Sequence, residues 1–289
     1  MRSNFKCISA VIFSCALATV SYGQTVFSQN FSAGGITSDY TGPANSSDTA
    51  LFTNIATTGS GSASISSNAL LFQRTASSSG GFRAVRGNSS NTLSSAPLSA
   101  VSFTFDMNLN LSAYPGSALN TGIVFGLGQA GSTAYSANAT NPASIDSWLT
   151  FSVKLPSSGS TYTIRNAAGT DGTTLNFGTN YTVTVIANTT GSILNYMAPS
   201  GSMSSVAATS FDIWVGTSIY LDDVGATNSA LSISAFKINH TSTSSTLAFT
   251  AAFDNISVAA IPEPSTYAAL AGLAVLGLVA YRRKTRLGR

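Results

Sequence analysis

Apolar and polar residues alternate along most of the chain between residues 24 and 260. The longest such run covers residues 101–111, where six apolar side chains occupy every second position, as in a strand with one buried face. Residues 149–155 and 181–185 repeat this pattern, and polar, glycine-rich stretches such as 156–160 separate the runs. Shorter apolar runs predict further strands at residues 26–31, 51–55, 69–73, 123–127, 162–164, 211–215, 231–238, 247–249 and 253–258.

The pattern predicts an all-β body, because no segment of residues 24–260 shows a long helical period. About a dozen strands joined by polar links imply two antiparallel sheets packed face to face. The segments 103–111, 123–128, 181–185 and 253–258 resemble strands of the concanavalin A-like jelly roll of lectins and laminin G-type domains. That resemblance implies a lectin-like form of the β-sandwich, and another sandwich of similar size is the alternative.

The N-terminus breaks the alternation with a continuous apolar run. Arg2 and Lys6 precede apolar residues 8–20, and residues 21–23 form a small-x-small site. This order predicts a secretory signal helix over residues 1–23 that signal peptidase removes between Gly23 and Gln24. Cys15 suggests a lipoprotein as an alternative, but the apolar run continues beyond that cysteine.

The C-terminal residues 261–289 contain three signals in a fixed order. Pro262, Glu263 and Pro264 form a spacer that cannot enter a helix. Apolar residues 267–281 predict a transmembrane helix, although 15 residues fall short of the roughly 20 that span a bilayer. The basic segment 282–289 follows, and a cationic cluster of this kind stays on the cytoplasmic side. That cluster begins with Arg282, Arg283 and Lys284.

This tail resembles the PEP-CTERM sorting signal of exopolysaccharide-producing Gram-negative bacteria, on the strength of residues 262–264, the small apolar stretch 268–280 and the arginines from Arg282. The resemblance implies export, transient membrane anchoring and cleavage near the motif by an exosortase, a membrane transpeptidase. The chain would then be a substrate of that enzyme. A permanent membrane anchor and a buried core helix are the alternatives.

The net charge changes sign once the two terminal segments are left out. The whole chain carries 13 basic and 10 acidic residues, a net charge of +3. Residues 24–260 keep six basic residues against nine aspartates, which gives a net charge of −3. The exported body is therefore mildly acidic, and nucleic-acid binding loses its main support. Both cysteines lie in the signal peptide, so the mature chain has no disulfide and no cysteine–zinc site.

The residues needed for common hydrolytic chemistry are mostly missing from the body. Glu263 is the only glutamate in the chain, whereas glycosidases need two placed carboxylates. Asp222 and Asp223 are adjacent, and neighbours on an extended strand point to opposite faces. His240 is the only histidine, and its polar surroundings predict a solvated loop. We therefore expect no catalytic residue and no enzyme activity.

Calcium is the one ion for which the body offers suitable residue types, since lectin-like sandwiches often hold it with loop oxygen atoms. Asp222, Asp223 and Asn228 lie close in sequence, as do Asp171 and Asn176. Turn formation by the same side chains is the preferred interpretation. No cofactor is predicted, and no metal ligand is assigned.

Trp148 and Trp214 are the only tryptophans and the candidate glycan contacts. Trp148 follows a polar loop and is expected on a rim. Trp214 lies on the opposite face of its strand from Phe211, Ile213 and Val215. On that face it is predicted either to form a sugar platform or to pack on a loop.

The sequence therefore predicts an exported, non-catalytic surface or matrix protein. Its expected partners are signal peptidase, an exosortase, the membrane before processing and extracellular polysaccharide. A lectin-like carbohydrate-binding protein is one alternative, and a glycoside hydrolase or lyase is another.

Overall fold

The computed structural model describes residues 24–42, 50–76, 79–87, 92–94, 97–132, 135, 141–142, 145–242, 244, 246–261 and 275. Residues Thr25–Ala260 form one compact unit. The predicted signal helix at 1–23 lies outside the described residues, as does the predicted transmembrane helix at 267–281 except for Val275. Among the described residues, no helix is both long and apolar enough to cross a bilayer.

The unit is built almost wholly from strands. They are β1 (Thr25–Gln29), β2 (Asn54–Gly59), β3 (Gly61–Ser66), β4 (Ala69–Arg74), β5 (Gly80–Arg86), β6 (Ala100–Ala113), β7 (Leu119–Gly128), β8 (Ser147–Leu155), β9 (Thr161–Asn166), β10 (Leu175–Asn176), β11 (Asn180–Asn188), β12 (Leu194–Met197), β13 (Met203–Val206), β14 (Ser210–Val215), β15 (Ser218–Gly225), β16 (Ala235–Ser242) and β17 (Ala248–Ala260). A short 3-10 helix, Thr37–Tyr40, follows β1.

Fifteen of the 17 strands form two large sheets, which confirms the predicted all-β, two-sheet antiparallel sandwich. An eight-stranded sheet has the order β15-β14-β11-β6-β17-β4-β3, with β1 also paired to β17. A seven-stranded sheet has the order β10-β9-β8-β7-β16-β5-β2. The hairpin β12–β13 forms a separate two-stranded sheet.

The hydrophobic core lies between the two sheets. In β6 and its neighbouring strands, every second side chain is apolar and points into this core. Phe103, Phe105 and Met107 are at most 1% exposed, and the polar residues between them face outward. The ring of Phe105 stacks on that of Phe125 across the sheets, with centroids 4.9 Å apart. Phe125 stacks in turn on Phe151 at 4.7 Å. Burying each such side chain contributes about 1.5–3 kcal/mol, and the contact between Phe105 and Phe125 joins the two sheets.

Two sequence-predicted strands are shifted along the chain. The strands expected at 51–55 and 231–238 both begin and end later, as β2 (Asn54–Gly59) and β16 (Ala235–Ser242). β16 lies between β5 and β7, so backbone hydrogen bonds on both sides stabilise a strand whose last four residues, 239–242, are all polar. His240 consequently belongs to a central strand.

The chain enters and leaves the sandwich at the same end. Thr25 of β1 pairs with Ala259 of β17, and Ala260 pairs with Val101 at the start of β6. β17 begins at Ala248, opposite Ala113 at the far end of β6. Thirteen residues of extended chain cover about 40 Å. The β6–β7 and β16–β17 links therefore lie at the end of the sandwich opposite the chain termini.

Candidate functional site

Trp148 lies inside the sandwich. The register between β7 and β8 shifts between Leu127 and Gly128, and Trp148 lies at that bulge with no exposed surface. Its ring packs edge-on against Phe211, with centroids 6.4 Å apart. The expected rim position is wrong because the bulge brings this side chain into the core. The ring is therefore covered on both faces and presents no surface for sugar stacking.

Trp214 lies on the outer face of the eight-stranded sheet, as its alternation with Ile213 and Val215 predicts. Only 7% of it is exposed, because Tyr196 of the β12–β13 hairpin reaches over it. The indole Nε1 donates a hydrogen bond of 2.8 Å to Tyr196 Oη. Trp214 therefore packs beneath a hairpin and does not form an open platform.

Asp212 completes this buried network. Tyr196 Oη donates to Asp212 Oδ2 at 2.5 Å, and the backbone N–H of Asp223 donates to Oδ1 at 2.8 Å. The Asp212 side chain has no exposed surface. Its pKa is raised from 3.8 to about 6, mainly by burial and also by the charges of Asp222 and Asp223, while the two hydrogen bonds oppose the rise. Its charged form is therefore costly near neutral pH.

Asp222 and Asp223 are not separated as the sequence predicted. Register shifts between β14 and β15 place both of them opposite the segment between Phe211 and Ile213, and Asp223 has a φ of 49°. Carboxylate oxygens of Asp212, Asp222 and Asp223 consequently lie within 4.8 Å of one another. Three such oxygens are suitable ligands for a hard cation such as calcium. Sequence reasoning missed Asp212 because it joins the pair only through strand pairing.

The other candidate calcium ligands have different roles. Asn228 Oδ1 accepts a hydrogen bond from the backbone of Ala230, which is the turn role that was preferred from sequence. Asp171 lies 2.5 Å from Lys154 Nζ and 3.2 Å from Arg165 Nε. Asn176 lies in β10, away from the three-carboxylate group in sequence and sheet.

His240 is buried on the inner face of β16, which corrects the prediction of a solvated loop. Its ring lies between Phe82 and Phe249, with centroid distances of 5.4 Å and 4.9 Å. Nδ1 contacts the carbonyl oxygen of Gly122 and therefore donates the hydrogen bond. Its pKa is lowered from 6.5 to about 4, mainly by burial and also by the charge of Arg74, while the hydrogen bond to Gly122 opposes the fall. His240 is thus a neutral core residue at physiological pH.

Asp106 and Asp254 form a second carboxylate pair, directly opposite each other on β6 and β17. They line an outer-face cavity of 410 Å³ together with Asn108 and Asn180. Thr182 Oγ1 donates to Asp106 at 2.5 Å. Burial and the charge of Asp106 raise the pKa of Asp254. Two carboxylates beside a cavity are the residue types that a glycoside hydrolase would need.

Charged side chains are divided between the two outer faces. The outer face of the seven-stranded sheet carries four of the body's six basic residues, each next to a core residue on its strand: Arg83, Lys154, Arg165 and Lys237. The outer face of the eight-stranded sheet carries Asp106, Asp212 and Asp254. Lys237 is fully buried, and burial followed by the charge of Arg83 lowers its pKa to about 8.

A cleft of 840 Å³ lies at the end of the sandwich opposite the chain termini. The end of β2, the start of β5 and the β6–β7 and β16–β17 links surround it. Its described lining is made of hydroxyl side chains, glycines, Pro115 and Leu119, with no charged and no aromatic side chain. We call it the distal cleft.

The tail immediately follows the last strand. Gln24 and Ile261 are described, whereas Gly23, the Pro-Glu-Pro motif and the basic residues from Arg282 lie outside the described residues. A family described as the PEP-CTERM protein-sorting motif matches residues 260–284. The chain carries a PEP-CTERM sorting motif. This confirms the resemblance seen in the tail and implies a surface-directed precursor with an exosortase as its partner. No curated protein sequence is similar to the chain.

Several solved structures resemble the body in outline. A carbohydrate esterase from the Shiga toxin-encoding bacteriophage phi24B is 9% identical, with a TM-score of 0.46 over 82% of this chain and 100% of that chain. A protein of unknown function with a galectin-like fold from Bacillus subtilis is 9% identical, with a TM-score of 0.38 over 82% and 96%. Lectin UEA-II complexed with galactose is 12% identical, with a TM-score of 0.38 over 72% and 92%. TM-scores below 0.5 transfer no activity to this protein.

Proposed function

We propose that the protein is an exported, non-catalytic surface or matrix component that an exosortase cleaves near Pro262–Pro264. The observation that carries this proposal is the position of the PEP-CTERM motif at residues 260–284, directly after β17 ends at Ala260. Only Ile261 separates the folded body from Pro262. Cleavage at the motif releases an intact sandwich, because the hydrophobic core lies wholly between Val26 and Val258.

The proposed route begins with export by the signal peptide and cleavage before Gln24. The apolar segment 267–281 then holds the precursor in the membrane, with Arg282, Arg283 and Lys284 in the cytoplasm. Processing transfers the body to the cell surface or the extracellular matrix. There we propose that its lectin-like sandwich binds extracellular polysaccharide, which also accounts for a surface dominated by hydroxyl and amide side chains.

Mass spectrometry of the surface form tests the sorting step. The expected product has Gln24 at its N-terminus and a C-terminus near residues 262–265. Glu263→Ala should leave the unprocessed precursor in the membrane fraction, whereas Thr285→Ala in the basic tail should be processed normally. Recovery of the surface form with Arg289 intact would contradict cleavage and favour the permanent anchor.

The glycoside hydrolase or lyase alternative rests on the Asp106–Asp254 pair. It predicts release of reducing ends from a polysaccharide and loss of that release in Asp254→Asn. Our proposal predicts no release by either protein.

A further inference from the structure

We propose that the distal cleft is the saccharide-binding site of this protein and that it takes an uncharged glycan chain. This inference rests on the proposed polysaccharide-binding function and specifies both its location and its ligand class. The cleft has a volume of 840 Å³, within the range of about 300–1,000 Å³ found for small-molecule sites.

The chemistry of the lining selects the ligand class. The exposed Thr58 and Ser117 and the half-buried Thr241 line the cleft, and each hydroxyl group can donate and accept hydrogen bonds. The half-buried Leu119 adds apolar surface for the C–H face of a sugar ring, and the buried Pro115 lies behind the lining. An anionic sugar would need a cation to offset its desolvation, and the described lining offers none. Among the described residues, the accessible basic side chains lie on the outer face of the seven-stranded sheet instead.

The walls of the cleft are fixed before any ligand binds. On one wall, Ser60 N and Ser60 Oγ both donate to the carbonyl of Ser79, at 3.0 Å and 2.9 Å. A Cβ at Gly59 would lie 2.5 Å from that carbonyl oxygen, so only glycine permits this approach. On the other wall, the buried Arg74 guanidinium donates to the carbonyl of Ser244 at 2.6 Å. A preorganised site of this kind loses less entropy on binding.

The position of the cleft suits a tethered protein. Thr25 and Ala259 pair at one end of the sandwich, so the chain joins its C-terminal tail there. The distal cleft lies at the other end, about 40 Å away along β17. A body attached through its C-terminus therefore presents the cleft away from its attachment point, toward surrounding polymer.

Gly116→Trp is the variant that blocks the cleft. A Cβ at Gly116 meets no atom within 4 Å, and the residue does not have a positive φ. The indole therefore enters open space without backbone strain. Gly191→Trp is the matched control, because Gly191 has the same freedom and lies in the β11–β12 link. If Gly116→Trp fails to fold, the double variant Ser117→Ala, Thr241→Val is used in its place. The double variant removes two hydroxyl groups from the lining of the cleft.

The experiment is calorimetric titration of the full chain in a zwitterionic detergent, since sugar-based detergents would compete. The probes are maltohexaose, cellohexaose and a galactan oligomer as neutral glycans, and a guluronate oligomer as the acidic glycan. We expect binding to a neutral probe that Gly116→Trp weakens about tenfold or more, equivalent to about 1.4 kcal/mol, and that Gly191→Trp retains.

The other outcomes overturn the inference in distinguishable ways. Equal binding by both tryptophan variants would place the glycan elsewhere and leave the proposed polysaccharide function standing. Binding only to the guluronate oligomer would refute the uncharged ligand class. No binding to any probe would refute both the cleft as a saccharide-binding site and the polysaccharide-binding part of the proposed function. The sorting proposal would be unaffected, because it has its own test.

Discussion

Replacing the buried Asp212 by asparagine should make the stability of the body less dependent on pH. Asp212 is fully buried, and its pKa is raised from 3.8 to about 6, first by burial and then by Asp222 and Asp223. The folded state therefore binds a proton at Asp212 more tightly than the unfolded state does. The favourable contribution of the protonated form is present below pH 4 and is lost as pH rises toward 6.

The size of the effect follows from the pKa shift. A rise from 3.8 to about 6 corresponds to about 3 kcal/mol of lost stability once Asp212 is ionised. Asp212→Asn has no such loss. Its amide oxygen can still accept from the backbone N–H of Asp223, and its NH₂ group can donate to Tyr196 Oη. The variant should thus gain up to about 3 kcal/mol relative to the wild type between pH 4 and pH 7, less the cost of the weakened hydrogen bonds.

Urea unfolding of the mature body at a series of pH values, with a chelator present to remove divalent cations, measures this difference. Asp222→Asn is the control, since it removes a charge from the same cluster at an exposed position and should change the profile much less. A constant difference between wild type and Asp212→Asn across this pH range would refute the argument. It would show that Asp212 is not held in a costly ionised state.

Four further predictions follow from the remaining contacts. His240 has its pKa lowered from 6.5 to about 4, so its contribution is complete above pH 6.5 and is lost as pH falls toward 4; His240→Leu should flatten that acid limb in urea titrations. Trp214→Phe removes the hydrogen bond to Tyr196 and should lower the free energy of unfolding by about 1–2 kcal/mol. The tryptophan fluorescence of the wild type should be blue-shifted and should resist quenching by iodide. Gly126→Ala would place a Cβ 2.7 Å from Pro142 and should lower thermal stability by about 1–3 kcal/mol, with Gly191→Ala unchanged. Asp254→Asn should leave reducing-sugar assays at background, as in the wild type; activity that this variant abolishes would establish an enzyme.

His240 and Asp212 act in opposite directions over overlapping pH ranges. Ionisation of Asp212 destabilises the fold as pH rises from about 4 to 6, while deprotonation of His240 restores stability as pH rises from about 4 to 6.5. The wild-type profile alone therefore hides both contributions. Only the difference between each variant and the wild type isolates them.

The sequence by itself determined the features that depend on linear order or on a repeat of two. The alternation at residues 101–111 became β6 because a strand with one buried face requires it. The tail was identified as a PEP-CTERM sorting motif because its signals are read along the chain and need no fold. The acidic character of the body also followed from composition alone.

The tertiary structure decided everything that depends on which strands are neighbours. Bulges brought Trp148 into the core and placed Asp222 and Asp223 beside Asp212, because one extra residue overrides the alternation of an extended chain. Pairing on both sides kept the polar β16 in the sheet and buried His240. The distal cleft exists only where links from four distant parts of the chain meet at one end of the sandwich. No local pattern encodes that meeting, since it is fixed by strand order.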